Sequence, residues 1–394
     1  MRILHIGKYF PPYAGGMETY LRDLMAAQAR QGLEPAALVH RSSISLHSQE
    51  EPYPAGEERL SVTRAAVWAR FLFTPLSPTF PWLLRRRIQQ HKPDILHIHM
   101  PNVSAFWALL LPGARKIPWV VHWHSDVLAS RHNLGLRLFY LLYQPFERAI
   151  LRHSKAVIAT SPPYLTSSIS LHSFRGKCHV IPLGLDPTRL PGTTRPQPDK
   201  TAGTPLRVLA IGRLTYYKGL EYLIRAAAQV NQVELHLVGS GDLEAELHSL
   251  AQDLNLGTRI TFHGHLPNEQ LAAQISACDC LCLPSIERTE AFGVVLLEAM
   301  AGSRATIISD VPGSGMGWVV DNHITGLHVP PADPDALAAA MTSLQRDRDN
   351  IRKMGDKGRQ KFDRLFHIDK SAEGVAGLYR RVLDNPADLY RAKS

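Results

Sequence analysis

The chain has 394 residues, 45% of them hydrophobic and 20% charged, which predicts two domains with full cores and excludes disorder, collagen-like repeats and a small disulfide scaffold. The net charge of +9 is lopsided: residues 1–200 carry 24 Lys and Arg against 12 Asp and Glu, and the rest carries 20 against 23. Basicity confined to the first half predicts an anionic partner there, either nucleic acid or an acidic membrane surface.

In chain order, the opening MRILHIGKYF reads as a strand over Arg2–Ile6 that runs into Pro11-Pro12, and not as a signal peptide. A helix near Met17–Arg30, a strand at Ala36–His40 and a helix at Pro81–Gln90 follow. Strands at Ile95–His99 and Trp119–Trp123, a helix at Leu134–Arg152, and strands at Ala156–Ala159 and His179–Ile181 complete the first half. Residues 186–205 hold the run LPGTTRPQPDKTAGTP, which has no apolar period and predicts a linker.

Strands resume at Arg207–Ile211, Glu234–Val238, Arg259–Phe262, Cys280–Leu283 and Thr306–Ile308. Helices are predicted at Leu220–Gln229, Leu243–Leu254, Gln270–Ala277, Val294–Ala301, Asp335–Leu344 and most of Ile351–Leu383. This alternation predicts an α/β fold: two Rossmann-like doubly wound domains facing across a cleft, with ligands at the carboxyl ends of strands. The longest apolar runs, such as Phe106–Pro112 and Leu138–Tyr143, fall short of the ~20 residues of a membrane-spanning helix. Cys178 and the cluster Cys278, Cys280 and Cys282 fit a reduced compartment and read as small core residues.

Two common nucleotide motifs fail. After the first strand, Gly7 is followed by Gly15-Gly16 only where the helix begins, and the second strand ends Val39-His40-Arg41 with no acid for a ribose. In the Gly239-Ser240-Gly241 turn the third glycine position is Glu244, and Lys218-Gly219 lacks the Ser or Thr of a P-loop. A nicotinamide dehydrogenase and a P-loop NTPase are thereby disfavoured.

The remaining signals suit phosphate and sugar. Gly15 and Gly16 allow close backbone approach at a helix start, which attracts anions, although a plain flexible turn explains them equally. Arg213 and Lys218 place two cations just past a strand, suited to a diphosphate. Glu290 and Glu298 bracket an apolar run; helical spacing would put them up to about 12 Å apart, with the Phe292, Gly293 and Val294 amides near the helix start. The apolar stretch Val294–Leu297 leaves Glu298 little exposed face, and buried acids usually have partners.

With Gly15-Gly16, His124-Ser125-Asp126, Gly212-Arg213, Lys218-Gly219, the Leu237–Gly241 turn and the Glu290–Glu298 block running into Ala299-Met300-Ala301, the chain resembles the family 4 retaining glycosyltransferases of the GT-B fold. One departure is Gly302-Ser303-Arg304-Ala305-Thr306, where the family often has a G-K-P-V-like step.

The resemblance implies an acceptor-binding domain at 1–185, a linker at 186–205 and a nucleotide-sugar domain at 206–367, with residues 368–394 returning as a helix to the first domain. It implies catalytic roles for Glu290 at the donor sugar, His124 near the reacting centre, and Arg213 and Lys218 at the diphosphate. Gly15, Gly16, Gly239, Phe292, Gly293, Val294 and Glu298, the last at the ribose, would bind the donor.

The expected reaction is hexose transfer from a GDP- or UDP-linked donor to a glycan or lipid-linked acceptor in envelope polysaccharide assembly. No cofactor and no metal is expected: His97-x-His99 and His122-x-His124 each share a strand face, but carboxylate or thiol ligands and an outer shell are wanting. The aromatic and Arg-rich stretch from Val67–Phe73 to Trp82–Arg87 predicts peripheral contact with an anionic membrane from a cytoplasmic location. No nucleic-acid module is recognised. A GT-B-like nucleotide-sugar epimerase and a non-catalytic membrane partner remain the alternatives.

Overall fold

The computed structural model describes residues 1–13, 15–55, 58–71, 74–127, 134–193 and 203–384. Residues 194–202 of the expected linker, 385–394 of the expected terminal segment, and Leu72 and Phe73 of the aromatic stretch therefore lie outside the described residues. The chain divides into two compact units, Met1–Gly184 with Ile368–Ser394, and Leu185–His367.

The first unit is built on an eight-stranded sheet: β1 (Arg2–Ile6), β2 (Glu34–His40), β3 (Gln49–Ala55), β4 (Glu58–Ala65), β5 (Ile95–Met100), β6 (Trp119–Trp123), β7 (Ala156–Ala159) and β8 (Cys178–Val180). Their order is β8-β7-β6-β5-β1-β2-β4-β3, parallel throughout except for β3, which runs antiparallel at the edge. The β3–β4 hairpin and a two-stranded ribbon, Ala69–Phe71 with Thr74–Leu76, are elements that sequence reading did not predict. Pro52 and Pro54 hide β3 from periodicity, and an edge strand tolerates them.

Helix α1 (Gly16–Arg30) buries Tyr20, Leu21, Leu24, Met25 and Gln28, a stripe at helical spacing. Helix α2 (Phe80–His91) has Pro at its first turn and ends in left-handed Lys92.

The second unit has six parallel strands: β9 (Leu206–Ile211), β10 (Val233–Val238), β11 (Ile260–Phe262), β12 (Cys280–Leu283), β13 (Ala305–Ser309) and β14 (Gly326–Val329). They are arranged β11-β10-β9-β12-β13-β14. Strand β14 was not predicted, and all four cysteines are buried free thiols. Helix α3 (Val294–Ala301) follows β12 by way of Gly293. Asp333 caps the Pro334–Arg346 helix by accepting from the Ala336 amide at 2.9 Å.

Helix fills most of Ile351–Leu383 as expected, in two pieces. Arg348–Lys361 is helical, Phe362–Phe366 is a π turn, His367 is extended, and α4 (Ile368–Asp384) follows. Phe362 and Phe366 are fully buried, and the Phe366 carbonyl accepts from the Leu185 amide at 3.0 Å, a bond that requires the chain to leave the helix there. In the first unit α4 packs on α1: Tyr20 is 2.9 Å from Ser371 Oγ, which donates to the Pro182 carbonyl at 2.8 Å.

Six histidines of this unit, His5, His40, His97, His99, His122 and His124, are buried. Burial lowers His5 and His40 to about 4 and His124 to about 3, and pushes the other three well below the ordinary imidazole range. Each is neutral when folded and takes a proton on unfolding below about pH 6.5. Their stabilisation is therefore whole above that pH and lost as pH falls, at about 1.4 kcal/mol per pH unit for each ring. Glu147, raised by burial to about 7, works in the opposite direction but singly. Chemical denaturation at pH 7.5, 6.5 and 5.5 should show stability falling steeply below pH 6.5; a flat profile over that range would contradict neutral burial.

Candidate functional site

Each sheet has a point where the chain switches direction, between β1 and β5 in the first and between β9 and β12 in the second. Loops at the carboxyl ends diverge there and leave room for a ligand.

In the second unit the loop after β9 begins at Gly212. Gly239, past β10, has φ +136°, and a Cβ there would come within 1.9 Å of the Gly212 carbonyl oxygen, so only glycine permits these loops to touch. Lys218 ends the short Tyr216–Lys218 turn and reaches past Gly212 to place Nζ 2.5 Å from Glu290 Oε2. The side chains are only 11% and 14% exposed, so the pair is screened weakly by water. Burial is the largest influence on Lys218 and lowers its pKa, but the Glu290 carboxylate and Tyr217 outweigh it and the net shift is upward. Arg213 is exposed on the same loop.

Glu290 precedes α3 and is separated from it by Gly293, whose φ of +80° breaks the helical path. A Cβ on Gly293 would meet Leu296 and Leu283 at 2.8 and 2.9 Å. The two acids therefore do not share one helix face. Phe292 is buried edge-on to Phe366, Gly293 caps α3, and Val294 opens its first turn, where amides lack intrahelical acceptors. Glu298 is buried within α3 and lies 3.5 Å from Arg189 Nη2, both side chains being 10% exposed. Sequence reading missed Arg189, because it falls in the stretch taken as linker and 109 positions from its partner.

In the first unit Gly15 and Gly16 open α1. Gly15 is extended, and a Cβ there would lie 2.2 Å from Glu18 Oε2, so the chain's own carboxylate stands at this helix start. His124 follows β6, and its amide bonds to the Met100 carbonyl at 3.0 Å. Asp126 Oδ1 accepts from Trp123 Nε1 at 2.8 Å and from Ser168 Oγ at 2.6 Å.

Register places His5 opposite His97 and His99 opposite His122, so with His124 five imidazoles share one face of the sheet. His5, His97 and His99, and likewise His99, His122 and His124, bring ligand atoms within 4.8 Å. Each trio nevertheless contains a pair stacked face to face, His97 on His99 at 4.5 Å and 13°, His122 on His124 at 4.4 Å and 6°. Imidazole lone pairs lie in the ring plane, so an ion in the plane of one stacked ring is outside that of the other. The arrangement fits hydrogen bonding between rings better than metal ligation.

Two doubly wound sheets, with a lysine, a carboxylate and glycine-permitted loops at the switch point of the second, suit the binding of a phosphorylated ligand. Residues 193–361 match the family model described as glycosyl transferases group 1, and residues 15–184 match a glycosyl transferase 4-like domain. The O-antigen chain mannosyltransferase C of Escherichia coli is 30% identical over 392 residues, covering 98% of this chain and 100% of that one. A D-rhamnosyltransferase of Pseudomonas aeruginosa is 30% identical over 369 residues, covering 93% and 92%. Among solved structures, sucrose-phosphate synthase from Thermosynechococcus elongatus superposes with a TM-score of 0.80 at 27% identity, covering 97% and 99%. The chain belongs to the group 1 (family 4) glycosyltransferases and has their GT-B fold.

The Lys218–Glu290 pair can be tested without a substrate. A double-mutant cycle with Lys218→Met and Glu290→Gln, read by denaturation, should give a coupling of about 1–3 kcal/mol, below that of a fully buried pair because some water reaches both groups. A coupling near zero would mean that the two groups do not meet.

Proposed function

We propose that the protein transfers a hexose, mannose foremost, from a GDP- or UDP-linked donor to a glycan or lipid-linked acceptor in cell-envelope polysaccharide biosynthesis. The observation that carries this reading is the Lys218–Glu290 contact at the switch point of the second sheet. Full-length similarity to an O-antigen mannosyltransferase supports the sugar and the acceptor class.

Departure of the nucleoside diphosphate develops negative charge on its terminal phosphate and positive charge at the anomeric carbon. Lys218 and Arg213 meet the phosphate charge, and the amides of Phe292, Gly293 and Val294 add oriented dipoles at the start of α3. Gly239 keeps the loop beside Gly212 thin enough for this approach. Glu290 orients the sugar through its hydroxyls and holds the ammonium in place. Glu298 takes the ribose, and retention of configuration follows from attack on the leaving-group face.

The Leu185–His367 unit binds the donor, and the Met1–Gly184 unit, which carries His124, binds the acceptor. No metal and no cofactor takes part.

The first unit also supplies a surface for anionic lipid. Trp68, Phe71 and Trp82 are exposed, and Arg86 lies 5.7 Å over the Trp82 ring. Arg87 is not part of that surface: it is buried and paired with Glu50. Among the described residues no helix is long and apolar enough to cross a membrane.

Titration calorimetry with GDP, UDP and ADP, with and without magnesium, tests the donor class. GDP or UDP should bind equally well in both conditions; binding of none would contradict the reading. Given a donor, Lys218→Ala should lower kcat by about 10²–10³. Glu298→Ala should weaken nucleotide binding by about 10–100-fold. Full activity in both variants would overturn the assignment.

A further inference from the structure

The histidines beneath α1 and α4 form a directed chain. Gln28 Oε1 lies 2.9 Å from His5 Nε2, His5 Nδ1 lies 3.1 Å from His99 Nε2, and His99 Nδ1 lies 2.9 Å from His124 Nε2. An amide oxygen only accepts, so His5 carries its proton on Nε2 and leaves Nδ1 bare. That bare nitrogen accepts from His99 Nε2–H, and His99 Nδ1 in turn accepts from His124 Nε2–H. Three rings are thus set from one end, and His124 is left with an unprotonated Nδ1.

The end group is itself fixed. Gln28 Nε2 donates to the Tyr379 hydroxyl at 3.2 Å, which holds the amide oxygen toward His5, and the same hydroxyl bonds His97 Nδ1. His124 is stacked on His122 at 4.4 Å, and Tyr20 meets it edge-on at 5.9 Å, so its ring cannot turn freely. All of these groups are buried and belong to one unit. Five buried imidazoles share this sheet face, and their bonding pattern fixes one exit nitrogen at its end.

We propose that Gln28, His5 and His99 are positioning residues that hold His124 as its Nε2–H tautomer, so that Nδ1 accepts a hydrogen bond from a sugar hydroxyl of the substrate. The placement of that hydroxyl rests on the reading of His124 at the reacting centre; the tautomer does not. The role is orientation by a neutral acceptor, and no proton moves along the chain. A histidine locked in the wrong tautomer loses its bond to substrate even when its ring is in place.

The experiment is a long-range 1H–15N spectrum of the full chain labelled in histidine at pH 7.5, with His124 assigned through His124→Asn. The expected spectrum has His5, His99 and His124 protonated on Nε2. A proton on Nδ1 of His124, as a reversed Gln28 amide would impose, overturns the proposal, and this arm is read on the unsubstituted protein. Gln28→Leu removes the acceptor without touching substrate. It should mix the two tautomers of His124 and lower kcat by about 10–100-fold with the donor KM unchanged.

Retention of a single tautomer and full kcat in that variant would overturn the chain's control. A mixed tautomer with full kcat would uphold the chain and overturn the placement of His124 at the reacting centre, so the two failures are distinguishable.

Discussion

A parallel sheet has to be covered on both faces, because its crossover helices lie on both sides, and this constraint decides where this protein can keep its charges. Strands β5, β6, β7 and β12 are buried along their whole length. Charged groups are consequently driven to the loops past the strand ends. Where the chain reverses direction in the second sheet, those loops bring Lys218 to Glu290 although 72 positions separate them. The proposed transfer needs a cation beside a leaving phosphate in a weakly screened place, and two loops with three glycines hold Lys218 in such surroundings.

The first sheet meets the same constraint differently. Its covered face carries imidazoles where a parallel sheet would ordinarily carry Val, Ile or Leu. The rings stack on one another and pass hydrogen bonds between strands, so most of the desolvation is offset, although neither nitrogen of His122 has a hydrogen-bond partner among the described residues. That cost is tolerated in a unit with Trp119 and Trp123 fully packed beneath the same strands, each indole nitrogen bonded, to the Ala114 carbonyl and to Asp126. Burial of this kind keeps the rings neutral and also makes the unit the part of the molecule most sensitive to acid.

Much of this was legible in the sequence for a physical reason: strands of two letters and helices of 3.6-residue period leave separate signatures. The strands Arg2–Ile6, Trp119–Trp123, Ala156–Ala159 and Cys280–Leu283 and the helices Leu220–Gln229 and Val294–Ala301 have the bounds that periodicity predicts. The β3–β4 hairpin escaped notice because its prolines and charges fit an edge and resemble a loop. The π turn at Phe362–Phe366 escaped because a buried aromatic pair four residues apart is also what an α-helix would show. In the site, Lys218 and Glu290 stood out by residue type past strand ends, and Glu298 as an acid beside an apolar run. Arg189, Gln28 and Tyr379 did not, since their partners are brought to them only by packing across the fold.

The central claim is that the loops after β9 and β12 hold a sugar nucleotide by its diphosphate. A crystal structure of the protein with GDP-mannose, or with the UDP-sugar that calorimetry selects, tests it most directly. The account predicts the diphosphate against Arg213, Lys218 and the amides of residues 292–294, with Glu290 on the sugar hydroxyls and Glu298 on the ribose. A nucleotide seated away from Lys218, with the Lys218–Glu290 contact intact beside it, would contradict it.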